Sequence, residues 1–375
     1  MSTFLFATLD AGGNLPPAVG IAGELVSLGH RVRFLGHPRQ ETAIKASGAE
    51  FQPYSHSPRM ALAEQMPTLH QISMLVSVFT DAGIARDVVE EARRERADVV
   101  VVDCLLLGAL DAAAKAGLFT VALVHSFYAF FDGPFRRTPI TAALALKGLG
   151  PRRVMSRANR ILVCADRRLD PAGRPGRKGA GDQNGRVVWC GAVVDVERPA
   201  PAPASGSTPR VLVSLSTTAF NGQDAFMQKA LDAVADLPLE VILTTGPAIN
   251  AARIWAPPNV TAHAYLPHRE VMPECVAVLG HGGHATTMLA LAHNLPLVIA
   301  PMHPLLDQRM VGQAVQDAGA GLLIKPSASA EEIASALRTA ADSASLHLGA
   351  ATIGRRLRRA DGARTGALFL EEIAC

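Results

Sequence analysis

Leu279-Gly-His-Gly-Gly-His-Ala-Thr-Thr-Met288 marks a point where a strand must hand over to a helix. Val276 to Leu279 is an apolar run, glycines 280, 282 and 283 remove side chains at the turn, and a helical pattern starts at Thr286. A glycine-rich strand-to-helix turn exposes backbone N–H groups at the positive end of a helix dipole, which suits a phosphate or diphosphate. His281, within the turn, can donate a hydrogen bond to a phosphate oxygen. Thr286 and Thr287 can cap the helix or bond a phosphate through their hydroxyls. Asp307 and Gln308 lie beyond the next apolar run, Leu297 to Ala300, so both features open on the C-terminal edge of one parallel sheet. A diphosphate cradle beside an acid and an amide that can grip hydroxyls has the chemistry of a nucleotide-sugar site.

Working outward, apolar runs alternate with helical patterns along most of the chain. In the first half strands are expected at 3–9, 31–35, 98–102, 120–124, 160–164 and 187–190, and helices at 17–28, 41–47, 84–96 and 106–116. Runs such as Val99 to Val102 are apolar on both faces, as a central parallel strand requires. The segment Glu197 to Pro209, with four prolines among small residues, reads as an interdomain linker. A second series follows, with strands near 211–215, 239–244, 260–264, 276–279, 297–300 and 321–324. Such alternation predicts α/β architecture with right-handed crossovers and doubly wound sheets. The segment 170–186, rich in glycine, proline and charge, reads as a mobile loop.

The 375 residues suit two domains, and 49% hydrophobic against 18% charged residues leaves ample material for a core. A net charge of +3 without an aromatic-interleaved basic stripe argues against a nucleic-acid partner. Arg152-Arg153, Arg167-Arg168 and Arg355 to Arg359 read as solvated faces. No apolar run reaches the roughly 18 residues needed to span a bilayer, and Phe4 to Leu9 reads as a first strand rather than a signal peptide. Five widely spaced cysteines (104, 164, 190, 275 and 375) fit a reducing, cytoplasmic setting.

The glycine turn with Asp307-Gln308 resembles the donor motif of the family 1, nucleotide-sugar-dependent glycosyltransferases of the GT-B fold. That motif runs His-Gly-Gly-x-Gly-Thr, then Gly-x-Pro, Pro and Asp-Gln. Here it reads His281-Gly282-Gly283-His284-Ala285-Thr286, Asn294-Leu-Pro296, Pro301 and Asp307-Gln308. Tyr265-Leu266-Pro267-His268 is similar to the family's segment that packs on the nucleobase, and Val213-Ser-Leu-Ser216-Thr217 to its phosphate-side loop. The resemblance implies two Rossmann-like doubly wound domains facing across a cleft. It implies an acceptor-binding domain at 1–196, a linker at 197–209, a donor domain at 210–358 and a final helix at 359–375 returning to the first domain. It further implies a metal-independent enzyme without cofactor, of the natural-product, antibiotic-biosynthesis type. Such an enzyme moves a sugar from a UDP- or TDP-linked donor to a hydrophobic small molecule with inversion, and acts as a monomer or homodimer. Two departures matter. Ala285 replaces a family glycine, and Leu289 stands where a ribose-binding glutamate is usual.

The acceptor side departs further. The family's first loop, Gly-His-x-x-Pro, carries a histidine base; aligning Leu9 to Pro17 puts Asn14 there, and a neutral amide cannot take a proton. Asp103, Asp10 and His125, all at C-terminal strand ends, are the candidate bases, with a helix N-cap as the duller role for Asp103 and a buried core histidine for His125. Residues 58–82 carry Met60, Met66, Met74 and Phe79, either ordinary core or an adaptable wall for a hydrophobic acceptor. Phe127-Tyr128-Ala-Phe130-Phe131 favours the wall, since four aromatics in a loop are more than a core needs. His281, His284 and Cys275 are the residues to weigh as metal ligands, but their spacing matches no zinc signature and no metal is expected. His293 is expected at a helix C-terminus, and His303 in the loop that leads to Asp307. Two rival readings remain open: a catalytically lapsed nucleotide-sugar-binding auxiliary, and a nucleotide-sugar epimerase.

Overall fold

A computed structural model describes residues 1–57, 68–174, 185–196, 208–249 and 254–374. Met60, Met66 and most of the proline-rich segment lie outside them. The chain divides into two compact units. One holds the first half up to Val193 together with Ala360–Cys375, and the other holds Val194–Arg359.

In the first unit seven parallel strands form one sheet: β1 (Thr3–Ala7), β2 (Arg31–Gly36), β3 (Glu50–Pro53), β4 (Val99–Asp103), β5 (Thr120–Val124), β6 (Arg160–Val163) and β7 (Val187–Trp189). Their order is β3-β2-β1-β4-β5-β6-β7. The four valines of β4 are fully enclosed, as a strand covered on both faces must be. Phe4, Phe6 and Phe34 pack on one side against Ile21 and Leu25 of the helix Leu15–Ser27, with Leu370 of the C-terminal helix Gly362–Ala374 in the same cluster. Gly20 sits so close to Val193 that a Cβ there would meet its side chain at 2.5 Å.

The second unit repeats the scheme with β8 (Arg210–Ser214), β9 (Glu240–Thr244), β10 (Val260–His263), β11 (Ala277–Gly280), β12 (Leu297–Ile299) and β13 (Gly321–Leu323), in the order β10-β9-β8-β11-β12-β13. Its core joins Val211, Val213 and Leu279 to Phe226, Leu231 and Leu337. In each sheet the strand order reverses once, between β1 and β4 and between β8 and β11. Loops leaving the C-terminal ends of those pairs diverge to opposite faces and open the crevice where doubly wound sheets bind ligands. Among the described residues no helix is long and apolar enough to cross a membrane.

Candidate active site

At the reversal point of the second sheet, the turn after β11 is shaped by two glycines for different reasons. Gly282 has φ +86°, and a Cβ there would lie 2.7 Å from the Gln308 carbonyl oxygen and 2.9 Å from Ile299 Cγ2. Conformation and space both exclude a side chain. Gly283 has an ordinary φ of −62° as the N-cap of the helix His284–Ala292, but a Cβ there would meet His281 Nε2 at 2.6 Å. The imidazole of His281 is thus folded over the N-terminus of that helix. Thr287 makes the first backward bond, to the Gly283 carbonyl at 3.0 Å, so the amides of residues 284–286 have no acceptor within the helix. Burial, with His268 nearby, pushes the His281 pKa down to about 4. The ring is neutral at physiological pH and can donate one N–H. Ala285 has helical backbone, so its methyl costs no strain.

The same packing brings Asp307 and Gln308 to the turn. Asp307 is the N-cap residue of the helix Gln308–Asp317. Gln308 is buried, and its Oε1 accepts from the backbone N–H of Met302 (2.7 Å) and of His303 (3.0 Å). Its oxygen therefore braces the loop after β12, and only its NH2 remains to meet a hydroxyl. His303 Nδ1 accepts from Leu305 N–H at 3.2 Å, which leaves Nε2 as the ring's N–H donor, and the ring lies against Phe220. Across the reversal point, Ser216 Oγ accepts from Thr218 N–H at 3.0 Å, closing a tight turn after β8 that leaves Thr217 exposed. Thr287 is fully buried and Thr286 half-buried. Tyr265 is 75% exposed beyond β10 and is followed by half-buried Leu266.

The reversal point of the first sheet gathers Asn14, Asp103 and His125. Asn14 precedes the helix Leu15–Ser27 without capping it. Its Nδ2 donates instead to Asp103 Oδ2 at 2.6 Å and to the Leu9 carbonyl at 3.1 Å, while its buried Oδ1 has no partner. Asp103 is 3% exposed, and its Oδ1 accepts from Leu105 N–H at 2.9 Å. His125, at the end of β5, brings Nδ1 to 3.6 Å from Asp103 Oδ2 and 3.7 Å from Cys104 Sγ. Asp10 stands apart, 3.8 Å from Arg39. Asp103, Cys104 and His125 are the only group of three potential metal-ligand side chains found together among the described residues, with atoms within 4.8 Å of one another; His281, His284 and Cys275 are not so grouped.

Several expectations need correction. Phe127 to Phe131 is not an open loop. Tyr128–Asp132 is a short helix, and Phe127, Tyr128, Phe130 and Phe131 are all buried. Phe130, Phe131 and Phe135 pack on one another, and burial pushes the Tyr128 hydroxyl up to about 12. These rings can satisfy one another because the helix turns them inward. Met74 is half-buried on the helix Thr68–Phe79, and the position of Met60 falls outside the described residues. Asp170, expected in a mobile loop, is fully buried and accepts from the backbone N–H groups of Tyr128, Ala129 and Ala172 and from Trp189 Nε1. His293 does follow its helix, but burial and Arg358 lower its pKa. Arg358, expected on a solvated face, serves the C-terminus instead by donating to the Ala292 carbonyl and, at 3.0 Å, to Asn294 Oδ1.

Residues 228–357 match the family model described as the C-terminal domain of erythromycin biosynthesis protein CIII-like proteins. A 4'-demethylrebeccamycin synthase from Lentzea aerocolonigenes is 27% identical over 370 residues, covering 86% of this chain and 87% of that one. The crystal structure of the kitacinnamycin glycotransferase superposes with a TM-score of 0.78 at 20% identity, covering 99% of this chain and 98% of the other. That of the glycosyltransferase VinC in complex with dTDP gives 0.71 at 21% identity, covering 99% of each. With two Rossmann-like sheets, a glycine turn at the reversal point of the second and relatives of this kind, the chain has the GT-B fold and is a glycosyltransferase, similar to enzymes of natural-product biosynthesis.

Proposed function

We propose that the chain transfers a sugar, with inversion, from a TDP- or UDP-linked donor to a hydrophobic small-molecule acceptor, and that it does so without a metal. The observation that carries this is the turn after β11, where glycines bare the start of the helix His284–Ala292 and a neutral imidazole folds over it. As the bond from the anomeric carbon to the diphosphate breaks, negative charge grows on the diphosphate oxygens. Preformed N–H donors are then worth more than in the ground state, which is the requirement for catalysis. Asp307, the Gln308 NH2 and the His303 Nε2–H, in the loop after β12 and at the start of the helix that follows it, suit sugar hydroxyls. Exposed Tyr265 suits stacking on a pyrimidine base. That VinC was crystallised with dTDP supports a thymidine donor.

Incubating the purified protein with TDP- and UDP-glucose and a phenolic acceptor, in excess EDTA, tests this reading. Glycoside and free diphosphate should appear at the same rate with and without the chelator. Loss of turnover on chelation would contradict the metal-free mechanism. Diphosphate binding without any turnover would identify the lapsed auxiliary instead.

A further inference from the structure

We propose that His125 is the catalytic base toward the acceptor, with Asp103 as its positioning partner, Asn14 holding that carboxylate in place rather than taking the proton. The assignment rests on the transfer reading above and names the residue that reading lacks.

Asp103 cannot serve directly. It is 3% exposed, and each oxygen is engaged, Oδ1 by Leu105 N–H and Oδ2 by Asn14 Nδ2. Asp10 is drawn to Arg39. His125 differs from both. Its side chain keeps 17% exposure at the C-terminal end of β5, beside the sheet's reversal point. Nδ1 faces the Asp103 carboxylate and the Cys104 thiol, which leaves Nε2 as the ring atom able to take a proton. The Phe131 ring lies nearly perpendicular to the imidazole, with ring centroids 6.4 Å apart. A separation of 3.6 Å is longer than a hydrogen bond, and base-to-orienter contacts of this kind commonly tighten when substrate binds.

In the step itself, an acceptor oxygen attacks the anomeric carbon. The new carbon–oxygen bond forms as the bond to the diphosphate breaks, and the diphosphate leaves with that electron pair. The acceptor proton passes to His125 Nε2, and the imidazolium is stabilised by the Asp103 carboxylate beside it. The titratable groups around the pair are few. Cys104 flanks it from the turn just after β4, and Tyr54 stays protonated because burial and the Asp103 charge hold its hydroxyl well above the usual range. In the neighbouring loops Asp10 pairs with Arg39, and burial lowers the pKa of His37.

The test compares wild type, His125→Gln and Asp103→Asn with TDP- and UDP-glucose, using phenol, 4-nitrophenol and water (donor hydrolysis) as acceptors across pH. His125→Gln should lose roughly 10²- to 10⁴-fold in kcat on phenol and water. It should lose far less on 4-nitrophenol, which ionises unaided, and the acid limb of the pH–rate profile should vanish. Asp103→Asn should lower kcat while keeping that limb. Imidazole in the buffer should partly restore His125→Gly, and binding of TDP or UDP should be unchanged in all variants, which also certifies their folding. Wild-type kcat and an intact acid limb in His125→Gln overturn the assignment. So does a wild type that binds TDP or UDP yet neither transfers nor hydrolyses the sugar, and so does activity lost to EDTA and restored by zinc, which would make Asp103, Cys104 and His125 metal ligands. Failure of wild type to bind either diphosphate is a separate result, because it removes the donor reading beneath the proposal.

Discussion

Single residues at the β11 turn separate fold from function. Gly282→Ala puts a methyl into the left-handed region, at about 1–2 kcal/mol, and drives it into the Gln308 carbonyl. We expect a thermal midpoint lower by several degrees, at roughly 2–4 °C per kcal/mol, and weaker diphosphate binding. Gly283→Ala keeps an ordinary backbone and meets only the His281 ring. It should leave the midpoint within about a degree of wild type, since changes away from core and strain are small, yet weaken diphosphate binding as His281→Ala does. Equal loss of stability in both variants would refute this separation. That the glycines, His281 and Asp307-Gln308 meet at one strand-to-helix turn was legible, because a turn that bares a helix N-terminus constrains residue type at every step. The commitment of Gln308 Oε1 to the Met302 and His303 amides was not, since an amide beside a loop serves loop and ligand equally well.

Elements follow from apolar runs wherever a strand is buried on both faces. The strands read from sequence in both halves match the structure to within a few residues at their ends. β3 escaped because it is an edge strand of mixed polarity, with Glu50 held by Arg31 and Arg33. The helix Tyr128–Asp132 escaped because its anchor lies some forty residues away. Asp170 accepts four N–H groups there, and removing a buried carboxylate with such partners leaves donors unsatisfied. Asp170→Ala should cost about 3 kcal/mol or more, read as a lower thermal midpoint and a shifted emission of Trp189, whose indole N–H loses its acceptor. An unchanged midpoint would mean that this segment does not stabilise the first unit. Arg358 was hidden in the same way. An arginine in a basic run looks solvated until a distant helix terminus is found beneath it.

The molecule as a whole carries a set of histidines that are neutral when folded. Burial lowers the pKa of His37, His268, His281, His293 and His303. Unfolded histidines bind protons below about pH 6.5, so as pH falls from there toward 4 the unfolded chain takes up more protons than the native one. Stability conferred by these groups is present above pH 6.5 and is lost on acidification, with His281 alone contributing about 3 kcal/mol at most. Unfolding in denaturant at pH 7.5, 6 and 5 should show a steadily falling midpoint; a flat profile would contradict the burial of these rings.

The most direct measurement is calorimetric titration of wild type and His281→Ala with TDP and UDP in EDTA, near pH 7.5. Wild type should bind at least one diphosphate with the chelator present, and His281→Ala should bind it about 10- to 100-fold more weakly, the loss of one hydrogen bond to a charged group. Equal affinity in the two proteins, or wild-type binding that appears only when a divalent cation is added, would contradict a pyrophosphate held by main-chain amides and a neutral imidazole.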